Sequence, residues 1–262
     1  MTSDSNPAPD DDNFLRELGD IREKENWSDS ELNRCRFNAK VEAQQSPDLR
    51  PFHVDWDDIS TEDVGCFERT LEAAEDERPL QHLFEQRPSL LAQRMSGGHG
   101  RWVIPQPRLA AEFVPDFLTA QASSIGIEWL AVELESPHAT LFKKNGDPTA
   151  ALTHAIRQIT DWRTWLSKNA QMACNSKDNH GLGLPDIDAN IPGLILLGRR
   201  AAENAAFNLR RRQMMHDLRI GIHSYDWLLE WTQGRMSTLR RAPKCVDTSS
   251  LTPSHQPPRH IL

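Results

Sequence analysis

Acidic side chains stand in two apolar segments of this chain of 262 residues. Asp116 lies within residues 113–118, and residues 127–135 end with Glu133 and Glu135. Both segments are rich in aliphatic, β-branched and aromatic residues, which predicts two strands. A carboxylate in such surroundings costs free energy unless another group compensates its charge. Because Glu133 and Glu135 are two positions apart on a strand, they share one face, where like charges repel unless a cation or a proton lies between them.

The three carboxylates at the ends of neighbouring strands suggest a site for a divalent cation, which hard oxygen ligands bind well. Such a cation can lower the pKa of a bound water molecule and stabilise the negative charge that develops during hydrolysis of a phosphodiester. The layout is typical of metal-dependent phosphodiesterases of the PD-(D/E)XK nuclease type. The alternative is that Glu133 and Glu135 line a solvated strand face and bind nothing.

A glutamine and several arginines are further candidates for phosphate contact. Gln158 lies on a predicted long helix and could orient a water molecule near the metal, although an isolated helical glutamine is more often a surface residue. Arg199 and Arg200 follow a predicted buried strand, and Arg210–Arg212 end a predicted helix. Guanidinium groups match phosphate oxygens in geometry. The alternative for all of these arginines is a solvated helix face.

Other familiar chemistries lack their motifs. The chain has no GxxxxGK[ST] or GxGxxG loop and no GxSxG elbow, which disfavours nucleotide hydrolysis, Rossmann cofactor binding and serine-hydrolase activity. The histidines show no HExxH or HxH spacing, so we interpret the following as structural or surface residues: His99, His138, His154, His180, His216 and His223. The four cysteines are scattered without a CxxC pair, which argues against a zinc knuckle or a disulfide framework.

Charge is distributed unevenly along the chain. Residues 1–80 hold 22 Asp and Glu against 9 Lys and Arg, whereas the remaining 182 residues hold 16 against 21. The positive balance of the second part is compatible with a polyanionic partner. The acidic N-terminus does not resemble a signal peptide, and no run of 18 apolar residues is present, so we expect a cytoplasmic protein without membrane contact.

The pattern of elements predicts an α/β domain. Two short helices are expected from Thr61 onward, followed by strands at residues 102–104, 113–118 and 127–135. A long helix is expected over residues 150–169, then a strand at 194–198, a helix at 201–216, a strand at 220–224 and a last helix from Tyr225. This alternation predicts a central mixed sheet with helices on both faces. Residues 1–12 and the tail after Arg241 are expected to be disordered, residues 13–45 partly helical and residues 95–100 a turn.

Five stretches of the chain resemble the Shedu family of bacterial anti-phage proteins: VPDFL (114–118), EWLAVELESP (128–137), LFKKNGDPTAALTHAIRQITDWRTWL (141–166), LILLGRR (194–200) and HSYDWLL (223–229). The resemblance implies a PD-(D/E)XK-like nuclease domain at residues 62–238 that acts on DNA in phage defence with Mg²⁺ or Mn²⁺, and it implies a homo-oligomer. The acidic region 1–61 then looks like a sensing part for a phage-derived trigger, and residues 239–262 form a tail.

Carried over by position, Asp116 and Glu133 match the metal-binding acids of that family, and Gln158 matches the glutamine of the following helix. Glu77 is a candidate for a further acidic residue in the opening helix. Glu135 occupies the position of the usual lysine, so it would act as a base or as another metal ligand.

Because Glu135 is not the usual lysine, another residue would have to supply the positive charge of that lysine. Lys143 or Lys144 on the next loop could supply it and contact DNA. We also expect Arg199 and Arg200 to contact the DNA backbone, because α/β sheets tend to bind ligands beyond the ends of their strands.

Two other functions stay open. One is a catalytically inactive nuclease fold that binds DNA or serves as a sensor. The other is a structural interaction scaffold that binds neither metal nor DNA.

Overall fold

The computed structural model describes residues 46–55, 58–95, 100–109 and 114–239. The predictions for residues 1–45, for most of the turn at 95–100, for Phe113 and for the tail after Arg241 therefore lie outside the described residues. Residues Pro47–Arg241 belong to one compact unit. Within the described ranges, no helix is both long enough and apolar enough to cross a membrane.

The elements follow one another in a mixed α/β order. A 3-10 turn at Arg50–Phe52 precedes three helices, α1 (Thr61–Ala73), α2 (Arg78–Gln86) and α3 (Ser89–Ala92). Strands β1 (Arg101–Pro105), β2 (Phe117–Ser123) and β3 (Gly126–Leu134) lead into the long helix α4 (Ala150–Cys174). Strand β4 (Gly193–Leu196), helix α5 (Asn208–Leu218), strand β5 (Ile220–His223) and helix α6 (Tyr225–Leu239) complete the fold.

The sheet has the strand order β1-β2-β3-β4-β5. The first three strands pair in antiparallel fashion, and β3, β4 and β5 pair in parallel. A parallel neighbour requires a crossover connection, and α4 supplies it between β3 and β4. Since β3, β4 and β5 are parallel, their carboxyl ends and the loops that follow them meet at one edge of the sheet.

Helices cover both faces of this sheet, which confirms the predicted α/β architecture. Side chains of α4 pack on one face against Trp129 and Ala131 of β3. Side chains of α1, α2, α3 and α6 pack on the other face against Val132 and Leu134. This alternation places Glu133, two residues after Ala131, on the face that α4 covers.

Local hydrogen bonds explain where several helices begin. Ser60 and Asp63 form a reciprocal capping box at the start of α1, with Asp63 N–H donating to Ser60 Oγ at 3.1 Å and Ser60 N–H donating to Asp63 Oδ2 at 2.7 Å. The Thr149 hydroxyl accepts from the backbone N–H of Leu152 and caps α4. These hydrogen bonds fix the residues at which α1 and α4 begin.

Several predicted boundaries were wrong, including the end of β2, at Ser123 instead of residue 118, and the end of α4, at Cys174 instead of residue 169. Strand β2 begins at Phe117, so Asp116 precedes the strand, and its carboxylate accepts a hydrogen bond from the backbone of β3. The helix predicted from residue 201 begins at Asn208 and follows two 3-10 turns. In the second turn the Asn204 side chain accepts from Ala206 N–H, a local hydrogen bond that competes with helix formation.

Candidate functional site

Asp116 and Glu133 meet at the edge of the sheet where β3 ends. Phe117 pairs with Val132 in the antiparallel register, so Asp116, the residue before Phe117, comes opposite Glu133. The backbone N–H of Leu134 donates to Asp116 Oδ2 at 2.8 Å, and the two carboxyl groups hydrogen-bond to each other. Two carboxyl groups in hydrogen-bond contact require a proton or a cation between them.

Burial sets the protonation of this pair. Glu133 is only 2% exposed, and desolvation, followed by the charge of Asp116, raises the pKa of Glu133 to about 10. Burial also raises the pKa of Asp116, although the hydrogen bonds from Leu134 and Glu133 oppose that shift. At neutral pH the pair therefore holds a proton on Glu133, in a position that a divalent cation could occupy instead.

Glu135 lies beside the pair but has a different partner. His154 Nδ1 on α4 is 3.1 Å from Glu135 Oε1. Burial raises the pKa of Glu135, whereas the hydrogen bond with His154 lowers it. The negative charges of Glu77 and Asp116 add to the rise. Glu135 therefore shares the electrostatic environment of the pair, while its carboxylate is directed to α4.

The side-chain oxygen of Gln158 is a buried hydrogen-bond acceptor that is not satisfied. Gln158 Oε1 and Glu133 Oε1 are both buried and have no hydrogen-bond partner among the described residues. Buried acceptors of this kind call for an explanation, and a missing ion or water molecule is a common one.

The packing of α4 against β3 brings Gln158 and Glu133 to the same position along the axis of the strand. Helix α4 runs antiparallel to β3, because it links two parallel strands. The four residues from His154 to Gln158 advance about 6 Å along the helix. The two residues from Glu135 back to Glu133 cover about 6.6 Å along the strand. With His154 held at Glu135, Gln158 thus comes level with Glu133.

Tyr225 contacts the same edge of the sheet through the backbone of Glu135. Its side chain is fully buried at the start of α6, and its hydroxyl donates to the backbone oxygen of Glu135 at 2.8 Å. Burial and the charges of Asp116, Glu77 and Glu135 raise the pKa of the Tyr225 phenol well above its usual value. The phenol therefore stays neutral and fixes the point where the chain leaves β3.

Glu77, the further acidic candidate, directly precedes α2. Its charge raises the pKa values of Asp116 and Glu135, which places it in the same electrostatic cluster. The structure thus gathers the acids that the sequence singled out, with Asp116 and Glu133 in contact and Glu77 and Glu135 around them. In the described part of the chain, no three His, Cys, Asp or Glu side chains are arranged as a preformed metal site.

The two arginines after β4 have carboxylate partners. Arg199 donates to both oxygens of Asp226, with contacts of 2.9 to 3.1 Å. The backbone N–H of Arg200 donates to Asp226 Oδ2 at 2.7 Å, and the Arg200 guanidinium forms an ion pair with Glu230. These contacts tie the loop after β4 to α6. Contact of Arg199 and Arg200 with DNA stays a prediction.

Lys143 and Lys144 are exposed on the loop between β3 and α4. This loop is attached to the segment before and within α5 at two points. The ring of Phe142 lies 5.5 Å from the ring of Phe207, and Arg210 donates to the backbone oxygen of Gly146. The loop follows β3 directly, so both lysines belong to the edge of the sheet that carries the acidic residues.

Two residues of this site were not selected from the sequence. His154 was interpreted as a structural or surface histidine, and Tyr225 was read only as the first residue of a helix. The signal for His154 was its spacing of four residues from Gln158, which puts both on one helix face. Nothing in the sequence pointed to Tyr225, because its contact with Glu135 spans 90 positions.

Comparison with known protein families gives a match to Shedu protein SduA, C-terminal, over residues 74–229. The match covers more than half of the chain, so this chain belongs to the Shedu family, as its sequence motifs predicted. Membership in this family suggests a role in anti-phage defence. No match was found among curated individual proteins. The matched residues include the strands, α4 and every acidic residue of the site.

Proposed function

We propose that this chain is a divalent-metal-dependent endonuclease that hydrolyses phosphodiester bonds of DNA in anti-phage defence, with a PD-(D/E)XK-like core. One observation carries the proposal: Asp116, directly before β2, forms a carboxyl pair with the buried Glu133 of the neighbouring strand β3, and the pKa of Glu133 is raised to about 10. Such a perturbed acid at the end of a strand is a frequent mark of a functional site.

The residues of the site fit a small divalent cation. Mg²⁺ is usually bound by one or two protein carboxylates and keeps several water molecules or substrate phosphate oxygens as its other ligands. Asp116 and Glu133 would supply the two carboxylates, and the partnerless Gln158 Oε1 could accept a hydrogen bond from a ligating water molecule. When bound, the ion would supply an activated water molecule and stabilise charge on the phosphate.

The side chains around the pair would orient the reacting groups. Glu135 would accept a proton from the attacking water, as the group at the position of the usual lysine. Tyr225 would keep Glu135 in place through its backbone oxygen. The exposed Lys143 and Lys144 would contact phosphates of the DNA backbone, because Arg199 and Arg200 already pair with carboxylates.

A plasmid-cleavage assay tests this proposal. Purified protein would be incubated with supercoiled plasmid in Mg²⁺, in Mn²⁺ or in chelator, and nicked and linear products would be separated on a gel. We expect cleavage only with metal and none with Asp116→Ala. The matched control is Glu128→Gln, which changes an exposed acid of β3 that accepts a hydrogen bond from Gln121. Equal cleavage by wild type and Asp116→Ala would refute the assignment of the cleavage to this site.

One observation favours a second function, an inactive nuclease fold that binds DNA or senses a partner. Glu135 replaces the usual lysine, and among the described residues no Lys or Arg forms an ion pair with Asp116, Glu133 or Glu135. An inactive protein would bind DNA without cleaving it at any metal concentration. Retention of plasmid in a gel-shift assay together with an uncut plasmid would support this second function over the first.

A further inference from the structure

We propose that His154 is a positioning residue of the active site, whose imidazole holds the Glu135 carboxylate by a hydrogen bond in the orientation that the reaction needs. This inference rests on the proposed nuclease function. His154 would take over from the missing lysine the task of presenting a hydrogen-bond donor at this position of the sheet edge.

The first support is the contact itself. His154 Nδ1 and Glu135 Oε1 are 3.1 Å apart, a normal hydrogen-bond distance. The Glu135 side chain is 16% exposed and the His154 side chain is 52% exposed. The carboxylate is therefore mostly shielded, while about half of the His154 side chain remains exposed to solvent.

The second support is the charge balance of the site. In addition to burial, the charge of Glu77 raises the pKa of Asp116, and the charges of Glu77 and Asp116 raise the pKa of Glu135. Within the described ranges, His154 is the only Lys, Arg or His side chain with a nitrogen within 4.0 Å of one of these three carboxyl groups. Without that contact, Glu135 would face like charges with no specific partner and could turn away from them.

The third support is the way α4 fixes the ring. The helix is capped by Thr149 and packs on the sheet through Leu152 and Ala155, which flank His154 and are fully buried. Gln158, one turn further along, has its partnerless oxygen at the level of Glu133. One helix face thus presents an imidazole to Glu135, directly after β3, and an amide to Glu133 of β3.

Three variants test the role of His154. His154→Ala removes the hydrogen bond. His154→Asn keeps a donor near the position of Nδ1 without an imidazole. The double variant Glu135→Ala/His154→Ala asks whether His154 acts through Glu135, since residues that work as a unit give non-additive effects. Cleavage would be measured as kcat and KM on a short DNA duplex, and melting temperatures would report folding.

His216→Ala is the matched control. His216 is also a helical, exposed histidine, and its Nδ1 contacts an acidic side chain, Asp217, at 3.2 Å. It lies at the C-terminal end of α5, away from the acidic pair. Its replacement should leave kcat and KM unchanged.

We expect His154→Ala to lower kcat about 10- to 100-fold, the range for loss of a hydrogen-bond partner that orients an active-site ligand, with KM nearly unchanged. His154→Asn should recover most of the lost rate. The double variant should be no slower than Glu135→Ala alone. This pattern would establish a positioning role, because a loss of fold would lower the melting temperature and would not be recovered by asparagine.

Other results would overturn the inference. Wild-type kcat in His154→Ala, equal losses in the Asn and Ala variants, or a further loss in the double variant beyond Glu135→Ala would each exclude positioning of Glu135. If those results come with metal-dependent cleavage by the wild type, the proposed nuclease function stands and only the role of His154 fails. Absence of cleavage by the wild type would overturn both.

Discussion

Replacement of Glu133 by glutamine should stabilise the protein, and the gain should grow with pH. Burial raises the pKa of Glu133 from its ordinary value of 4.5 to about 10, so between these values the folded state holds a proton that the unfolded state has released. The stability associated with this proton is fully present below pH 4.5 and is lost as pH rises towards the folded pKa. Glutamine has nearly the shape of the protonated acid and keeps its neutral form at every pH.

The expected magnitude follows from this single proton. A difference of one bound proton changes the free energy of unfolding by about 1.4 kcal/mol per pH unit. Between about pH 6 and about pH 8 the advantage of Glu133→Gln over wild type should therefore increase by roughly 3 kcal/mol. Contributions of the other titratable groups largely cancel, because both proteins share them.

Urea unfolding of both proteins at several pH values in the presence of chelator measures this difference. Parallel stability curves for wild type and Glu133→Gln would refute the reasoning, because they would show that Glu133 has the same protonation in the folded and unfolded states. Added Mg²⁺ supplies an internal check. A ligand that binds only the folded state stabilises it by about 2.7 kcal/mol at 100 times its Kd, and only the wild type should respond.

Four further outcomes are expected from the same site and its surroundings. Asp116→Ala should abolish metal-dependent cleavage while the protein stays folded, because it removes a ligand of the cation and a charge that adds to the effect of burial on the pKa of Glu133; an unfolded variant would contradict this. Glu135→Ala should remove most of the activity and leave a residual rate, and full activity would make Glu135 a bystander; Glu135→Lys should be active only if the pocket accepts the longer cation. Arg199→Ala should lower the free energy of unfolding by roughly 1–3 kcal/mol, the range for hydrogen bonds to a charged group, and an unchanged urea midpoint would speak against a structural role. Replacement of both Lys143 and Lys144 by alanine should flatten the log–log dependence of DNA affinity on salt by about 2 units, if each side chain neutralises one phosphate; an unchanged slope would exclude them from the DNA contact.

The sequence determined the architecture and the acidic residues of the site. Hydrophobic periodicity over residues 127–135 and 150–169 identified β3 and most of α4, because burial imposes the period of each element on the pattern of apolar residues. The same pattern marked Asp116 and Glu133 as exceptional, since an acid within an apolar run requires compensation. Element ends were less accurate. The start of α5 was missed because Asn204 forms a local hydrogen bond that its residue type alone does not reveal.

Only the tertiary structure decided which partner each side chain has. The antiparallel register sets Asp116 opposite Glu133, and a shift of one residue would have turned one carboxylate to the other face. The crossover helix brings His154 to Glu135, and α6 brings Tyr225 to the same residue from 90 positions away. Contacts over such separations depend on how whole elements pack. Local sequence can therefore say that Glu135 needs a partner, but the packing of α4 on β3 determines that the partner is His154.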